Sequence, residues 1–146
     1  MYLQYEPAQA DDVESIFSFN KEQIETYENL ESIDYGRVLA WVHRKIVEHI
    51  HEYTCVRACG QKAGYFYFHQ AGAYMELDDL YVFPAFRNRG IGTAILQKCC
   101  GESSLPIDLY VFSKNAGALA LYGRLGFRVI RRIGDTRCLL RRDSEG

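Results

Sequence analysis

The sequence predicts an α/β domain built on a mixed sheet, expected to occupy the whole chain from residue 1 to residue 146. Two observations support this fold class. Short apolar or alternating runs have strand character, and four longer stretches carry apolar residues at helical spacing. Their order is strand, two helices, three strands, helix, strand, helix and two strands. Parallel pairing is expected where a helix connects two strands of one sheet.

The N-terminal part of the chain is expected to form one strand and two helices. Residues 2–6 alternate apolar and polar side chains, as a half-buried strand does. A helix should follow from about residue 13, started by a capping box of Asp11 and Glu14. A second helix should begin at the N-cap Asp34. This second helix would bury one apolar stripe, formed by Val38, Leu39, Val42, Ile46 and Ile50.

The rest of the chain alternates strands with two further helices. Gly101 and Gly126 are expected to end these helices, and Gly134 is expected to turn the last hairpin. The predicted strands are 53–58, 64–69, 74–83, 107–112, 127–133 and 136–140, and the predicted helices are 92–100 and 115–125.

Composition and charge exclude several classes of partner. Hydrophobic residues make up 48% of the chain and charged residues 25%, as in ordinary globular proteins. The net charge of −2 gives no general attraction to nucleic acid or to acidic membranes. The N-terminus lacks a signal-peptide layout and no apolar run is long enough to span a membrane, so a cytoplasmic location is expected. The five cysteines have neither disulfide nor zinc-site spacing, so no metal is expected.

The stretch from Leu80 to Thr93 has the pattern of a strand end, a bend and a helix start. Pro84 ends a run of strand-type side chains because it has no backbone donor. Gly90 and Gly92 lie at the expected helix start, where the first amides lack partners and the helix dipole is positive. Two arginines before them add positive charge. The stretch therefore predicts a seat for a phosphate or pyrophosphate group.

The details of the motif reduce the number of ligand classes that could supply this phosphate group. The third glycine of the dinucleotide-binding fingerprint and the lysine of the P-loop are both absent. The pattern Arg-x-x-Gly-x-Gly, from Arg87 to Gly92, resembles the acetyl-CoA-binding motif of the GNAT N-acetyltransferases. A second pattern, Asn-x-x-Ala-x-x-x-Tyr-x-x-x-Gly-Phe from Asn115 to Phe127, is similar to the other characteristic segment of that family. The order of elements matches along essentially the whole chain, best from residue 77 to residue 127.

The resemblance implies how acetyl-CoA would be held. The sheet would have six or seven mostly antiparallel strands and about four helices, with the fourth and fifth strands splayed apart. Pantetheine would lie in that gap against the backbone of Leu80, Tyr81 and Val82, since an unpaired strand edge needs partners. Asn115 and Ala118 would contact the donor, and Asn115 also has the residue type of an N-cap. The pyrophosphate would take the backbone amides of Arg87, Asn88, Arg89, Gly90, Ile91, Gly92 and Thr93.

Tyr122 is the candidate acid of the reaction. It follows Asn115 by seven residues, which places both on one face of a helix. By resemblance, this tyrosine would bind the donor and protonate the leaving CoA thiolate, because a phenol is neutral at pH ~7 and can donate a proton. The alternative is a core tyrosine that packs against Phe127.

Glu76 is the candidate general base, because it matches the strand position where histone-acetylating relatives place a catalytic glutamate. Strand alternation predicts that Glu76, Asp78, Leu80 and Val82 project from one face. A bulge would instead bring Asp79 to the acceptor side. A chain of ordered waters is the alternative base.

Two functions fit these residues. The first is an N-acetyltransferase that uses acetyl-CoA as cosubstrate and passes the acetyl group directly to a primary amine. The second is a non-catalytic module that binds or senses acyl-CoA. The acceptor, a small-molecule or peptide amine, should be cationic if nearby acids bind it: Glu25, Glu28, Glu31, Asp34, Glu76 and Asp78. Many relatives form dimers, so a homodimer is left open.

Overall fold

The structure is a computed structural model that describes residues 2–144. Within these residues the chain forms a seven-stranded sheet and four α-helices. In chain order they are β1 (Leu3–Pro7), α1 (Val13–Tyr27), α2 (Tyr35–His49), β2 (Thr54–Ala58), β3 (Gln61–Ala71), β4 (Tyr74–Val82), α3 (Ile91–Glu102), β5 (Ile107–Phe112), α4 (Ala116–Arg124), β6 (Arg128–Ile133) and β7 (Arg137–Arg142). The mixed α/β fold predicted from the sequence is confirmed.

The sheet order is β1-β2-β3-β4-β5-β7-β6. Neighbouring strands of the described chain pair antiparallel except β4 and β5, which are parallel and are connected through α3. This parallel pair is short. Its register contains only Met75 opposite Ile107 and Glu76 opposite Asp108, although β4 continues to Val82. Beyond Glu76 the two strands diverge, and the expected splay between the fourth and fifth strands is confirmed.

Helices cover both faces of the sheet. The α1/α2 face buries Ile16 from α1 and Ile46 from α2, and Ile46 belongs to the predicted apolar stripe. The α3/α4 face buries Ile95 from α3 and Tyr122 from α4. Each buried aliphatic side chain contributes about 1.5–3 kcal/mol relative to an exposed one. None of the helices in the described part of the chain combines the length and apolarity needed to cross a bilayer.

A β-bulge in β4 changes which side chains share a face. Tyr67 and Phe68, consecutive in β3, lie opposite Asp79 and Leu77 of β4, so the register skips Asp78. An extra residue in one strand breaks the strict alternation of side chains. Consequently Asp78 and Asp79 both face α1 and α2.

The predicted common face of Glu76, Asp78, Leu80 and Val82 is therefore wrong. Leu80 and Val82 pack against the core on the α3/α4 face, whereas Asp78 lies 3.6 Å from Lys45 of α2. Glu76 stays with Asp78, because both belong to one cluster of side chains. The acids and the apolar residues of β4 separate at the bulge.

Several predicted boundaries also change. The capping box joins Gln9 and Asp12 rather than Asp11 and Glu14: Gln9 N donates to Asp12 Oδ2 at 2.8 Å. Asp34 is the N-cap of α2, as predicted, since its Oδ1 accepts from Arg37 N at 3.2 Å. Helix α3 passes through Gly101 to Glu102, because Gly101 does not adopt the left-handed conformation that ends a helix.

Candidate functional site

A cavity of ≈ 1240 Å³ opens where β4 and β5 diverge. We call it the main cavity. Its walls come from α1 and α2 on one side, from β4 and β5 in the middle, and from the start of α3 and from α4 on the other side. The volume exceeds that of an ordinary small-molecule pocket, which is about 300–1,000 Å³. The space can therefore hold a long ligand together with a second small one.

The loop before α3 presents backbone amides to the main cavity. Asn88 and Gly90 both have positive φ, 62° and 80°, which folds the chain tightly ahead of the helix. The bond from Ala94 N to Gly90 O, 3.0 Å long, begins the helical ladder. The amides of Ile91, Gly92 and Thr93 come before that bond, at the positive end of the helix dipole. This geometry suits a phosphate or pyrophosphate group.

The two arginines of the motif differ in position. Arg87 lines the main cavity, and its Nε donates to Val82 O at 3.0 Å. The Arg89 guanidinium lies over the ring of Phe86, 5.6 Å from its centroid. Arg89 is the one predicted site residue outside the cavity lining. The lining includes the others: Glu76, Leu80, Tyr81, Val82, Arg87, Asn88, Gly90, Ile91, Gly92, Thr93, Asn115, Ala118 and Tyr122.

The edge of β4 that faces the gap can be assigned from its neighbours. Phe83 N donates to Ala63 O of the β3 side at 2.8 Å, so Phe83 points its backbone toward β3. Backbone groups alternate along a strand, which directs those of Leu80 and Val82 toward the gap. The bond from Arg87 to Val82 O agrees with this assignment. An extended ligand could pair with this edge.

Asn115 and Tyr122 lie on the cavity side of α4. Asn115 is the N-cap of the helix, and its Oδ1 accepts from Ala118 N at 3.2 Å. Tyr122 is 9% exposed and packs edge-on against Phe127, with ring centroids 5.7 Å apart. Tyr122 is therefore both a core residue and part of the cavity wall. Burial, and then the negative charge of Asp79, raise the pKa of the Tyr122 phenol, so it remains protonated at neutral pH.

Asp79 lies in the wall of the main cavity next to the gap-facing Leu80. Its Oδ2 accepts a 2.7 Å hydrogen bond from Tyr53, a side chain that is 1% exposed. Burial raises the pKa of Asp79, and the Lys45 ammonium opposes that rise. Sequence reasoning placed Asp79 on the acceptor side only if β4 contained a bulge, and the bulge is present. The sequence does not indicate that Tyr53 and Lys45 interact with Asp79, because both are far from it along the chain and come near it only in the folded structure.

Glu76, Asp78 and His69 form a cluster at the closed end of the gap. Their polar atoms all lie within 4.8 Å of one another, and His69 Nε2 is 2.8 Å from Asp78 Oδ2. The hydrogen bond with Asp78, then burial, raise the pKa of Glu76 to about 7. Burial alone would raise the pKa of Asp78, but Glu76, Lys45 and His69 together lower it. Of the two carboxyl groups, Glu76 therefore holds its proton more tightly than Asp78.

This cluster was missed in the sequence, where no metal was expected. The three side chains have atoms close enough to share a cation. The ammonium group of Lys45 already lies beside them, with Nζ 3.6 Å from Asp78 Oδ2.

Charge divides the main cavity into two halves. Arginines lie toward the loop and α4: Arg87, Arg124 and Arg137. Carboxylates lie toward α1 and the bulge of β4: Glu22, Glu28, Glu76, Asp78 and Asp79. Of the four acids expected around the connection between α1 and α2, only Glu28 lines the cavity. Glu25, Glu31 and Asp34 do not, and Asp34 instead caps α2.

Comparisons of sequence relate the chain to known proteins. The model of the acetyltransferase (GNAT) family matches residues 10–127. An uncharacterized N-acetyltransferase of Methanocaldococcus jannaschii is 39% identical over 56 residues, which are 36% of this chain and 25% of that protein. The chain thus matches about a quarter of the length of this curated relative.

Solved structures share the fold. PaiA N-acetyltransferase of Thermoplasma acidophilum, solved in complex with coenzyme A, has a TM-score of 0.73 at 17% identity, with 98% of this chain and 99% of that chain covered. The ribosomal-protein-S18-alanine N-acetyltransferase of Escherichia coli has a TM-score of 0.68 at 16% identity, with 99% and 96% covered. YncA of Salmonella typhimurium, solved with acetyl-CoA, has a TM-score of 0.65 at 18% identity, with 100% and 96% covered.

Proposed function

Because the chain belongs to the GNAT acetyltransferase family, we propose that it transfers the acetyl group of acetyl-CoA to a cationic primary amine while both substrates are bound. One observation carries the proposal. Strands β4 and β5 pair at two positions and then diverge around a cavity that is basic at one end and acidic at the other. The PaiA and YncA structures, which hold CoA and acetyl-CoA, support the choice of donor.

The donor occupies the gap and the basic half of the main cavity. Its pyrophosphate binds the amides ahead of α3, with Arg87 beside them. Pantetheine pairs with the exposed edge of β4 at Leu80 and Val82, and Asn115 contacts the same arm. The N-cap of α4 uses Asn115 Oδ1, so the Nδ2 hydrogens are left out of the cap and can donate to a pantetheine carbonyl.

The acceptor enters the acidic half. A primary ammonium group is attracted by carboxylates in a partly buried site, where opposite charges are weakly screened. Asp79 is the acid closest in sequence to the gap-facing Leu80, and Tyr53 fixes its orientation. The positive charge of Lys45, which pairs with Asp78, does not balance the five carboxylates of this half. We therefore expect the acceptor to present at least one ammonium group beside the reacting one, or a basic peptide terminus.

The chemistry needs a base, an oxyanion donor and an acid. Glu76 removes a proton from the ammonium, because its pKa of about 7 matches neutral conditions. The amine nitrogen then attacks the thioester carbonyl carbon, and the backbone N–H of Leu80 stabilises the oxyanion. The C–S bond breaks, and Tyr122 protonates the departing sulfur. Holding both substrates in one cavity supplies much of the rate.

The test is a CoA-release assay with acetyl-CoA and a panel of amines, followed by mass spectrometry of the products. The panel pairs each diamine or basic peptide with a neutral monoamine of equal length. Turnover of the cationic members, weakened by added salt, is the expected result. Tight binding of acetyl-CoA with no turnover of any amine would instead support a sensing module on the same scaffold.

A further inference from the structure

We propose that Glu76, Asp78 and His69 form a proton relay, which carries the proton released by the acceptor amine from the main cavity to a second cavity. The proposal rests on the acetyl transfer proposed above. It assigns positioning and proton-carrying roles to Asp78 and His69, two residues that the reaction itself does not require.

The three side chains stand in series. Asp78 is the middle member, because His69 Nε2 lies 2.8 Å from its Oδ2 and the carboxyl of Glu76 is hydrogen-bonded to it. The β4 strand supplies Glu76 and Asp78 at positions of equal parity, and β3 supplies His69. The His69 ring stacks on Tyr67, with centroids 4.4 Å apart, which fixes the plane of the imidazole.

The series extends from the main cavity to a second, neighbouring cavity. A second cavity of ≈ 670 Å³ lies outside the sheet between α2 and β3, and its lining includes His49, Glu52 and His69. Glu76 lines the main cavity, whereas His69 lines the second one. Asp78 lines both. The side chain of Asp78 is 13% exposed and that of His69 is 28% exposed, so exposure to water increases toward His69.

Such an exit leads the proton away from the main cavity, which the two proposed substrates would occupy. The net reaction of an ammonium with a thioester forms an amide and a thiol and releases one proton. Glu76 takes that proton, passes it to Asp78, and Asp78 passes it to His69 Nε2. His69, which starts as the neutral ring with its proton on Nδ1 near Gln70 O, then gives up that proton to water, and proton exchange with water restores the starting tautomer before the next turnover. The second proton lost by the nitrogen replaces the one that Tyr122 gives to sulfur, so charges and atoms balance.

The charges around Glu76 predict the direction in which each variant shifts its pKa. Charged groups face Glu76 from β4, β3 and α2: Asp78, His69 and Lys45. The hydrogen bond and the charge of Asp78 raise the pKa of Glu76, whereas His69 and Lys45 lower it. Removing Asp78 should therefore lower the pKa of Glu76, and removing His69 should raise it. These shifts report that both side chains interact with Glu76, and the buffer dependence of kcat reports whether they carry its proton.

The experiment compares the pH dependence of kcat/KM for the wild type, Asp78→Asn and His69→Gln. The wild type should gain activity as pH rises through about 7, because the base must lose its proton. The rise should move to lower pH in Asp78→Asn and to higher pH in His69→Gln. In weak buffer, kcat of His69→Gln should fall roughly tenfold, and added imidazole should restore it. His51→Gln, an exposed histidine outside both cavities, is the matched control.

The outcomes separate the two proposals. An unchanged kcat of His69→Gln in weak buffer, or a loss of kcat that added imidazole does not restore, would overturn the relay and leave the acetyl transfer intact. Absence of turnover in the wild type with every amine would overturn the acetyl transfer and the relay with it. Dialysis against CoA reports whether each variant is folded, and if His69→Gln does not fold, the buffer dependence of kcat in Asp78→Asn decides the question.

Discussion

Tyr53 and Asp79 are joined by a 2.7 Å hydrogen bond in which the phenol donates to Oδ2 of the carboxylate. Tyr53 directly precedes β2, and Asp79 lies at the bulge of β4, so the bond connects the α1/α2 face to the wall of the main cavity. Burial raises the pKa of Asp79, and this hydrogen bond works against that rise. The phenol therefore helps to keep a buried acid available to a cationic substrate.

Tyr53→Phe should destabilise the fold by about 1–3 kcal/mol, because the buried carboxylate of Asp79 loses the 2.7 Å hydrogen bond from the phenol. The measurement is urea unfolding of the variant and the wild type at neutral pH. Tyr67→Phe is the control, since its hydroxyl contacts two more exposed side chains, His49 at 3.3 Å and Glu52. Equal loss of stability in both variants would contradict a special role for the bond to Asp79.

The sequence was sufficient for the fold where the pattern is local. The stripe on α2 has helical spacing, and its members Val42, Ile46 and Ile50 are buried. The bulge at Asp78 could not be predicted, because it arises from pairing with Tyr67 and Phe68, which lie about ten residues earlier in the chain. Strict alternation along residues 74–83 was the only local signal, and pairing overrides it.

Tyr122→Phe should reduce kcat about a hundredfold, because the sulfur then leaves without a proton donor. The affinity for CoA should change by less than about threefold, since the ring and its packing on Phe127 remain. Steady-state turnover assays measure kcat, and equilibrium dialysis measures the affinity for CoA. Tyr110→Phe, which alters another tyrosine of the main cavity, is the control. An unchanged kcat in Tyr122→Phe would remove this residue from the mechanism.

Gly90→Ala should weaken binding of acetyl-CoA about tenfold, because an alanine at φ +80° is strained by about 1–2 kcal/mol and shifts the amides of the loop. A Cβ at this position meets no atom within 4 Å, so the effect comes from backbone conformation and not from a clash. Acetyl-pantetheine, which lacks the pyrophosphate, serves as the comparison ligand and should bind both proteins equally.

Gly101→Ala is the control for that loop variant. Gly101 lies inside α3 with open space around its Cβ position, so alanine should stabilise the helix by about 0.5–1 kcal/mol and leave binding unchanged. Weaker binding of acetyl-pantetheine to Gly90→Ala would show that the loop acts on the whole donor and not on its pyrophosphate.

Asp12 links the start of α1 to β3 and should give the fold a pH dependence in acid. It is 3% exposed and accepts from Lys62 Nζ at 2.6 Å and from Tyr65 OH at 2.7 Å. Burial would raise the pKa of Asp12, but the hydrogen bonds from Lys62, Gln9 N and Tyr65 lower it below its ordinary 3.8. The stabilisation is therefore present above pH 3.8 and is lost as pH falls through the lower folded-state pKa.

Asp12→Asn should lower the free energy of unfolding by about 2 kcal/mol near pH ~6, a value reduced because Lys62 is partly exposed. The difference from the wild type should shrink near pH ~3. Urea unfolding at both values checks this, with the exposed neighbour Asp11→Asn as control. A difference that grows in acid would contradict the sign.

The sequence predicts those residues of the candidate site that belong to one continuous motif. It does not predict those that come together only when distant parts of the chain fold. The loop from Arg87 to Thr93 is continuous in sequence, and its members line the main cavity except Arg89. Arg89 instead lies over the ring of Phe86, a contact that the motif alone does not reveal. The cluster around Glu76 comes from β3, β4 and α2. Its members are up to 33 residues apart, from Lys45 to Asp78, so no local pattern marks it.

Equilibrium dialysis of the wild-type protein against acetyl-CoA tests most directly whether the gap between β4 and β5 binds an acyl donor. We expect one molecule to bind per chain and free CoA to displace it. No retained acetyl-CoA at concentrations up to about 1 mM, which corresponds to about −4 kcal/mol, would contradict the assignment.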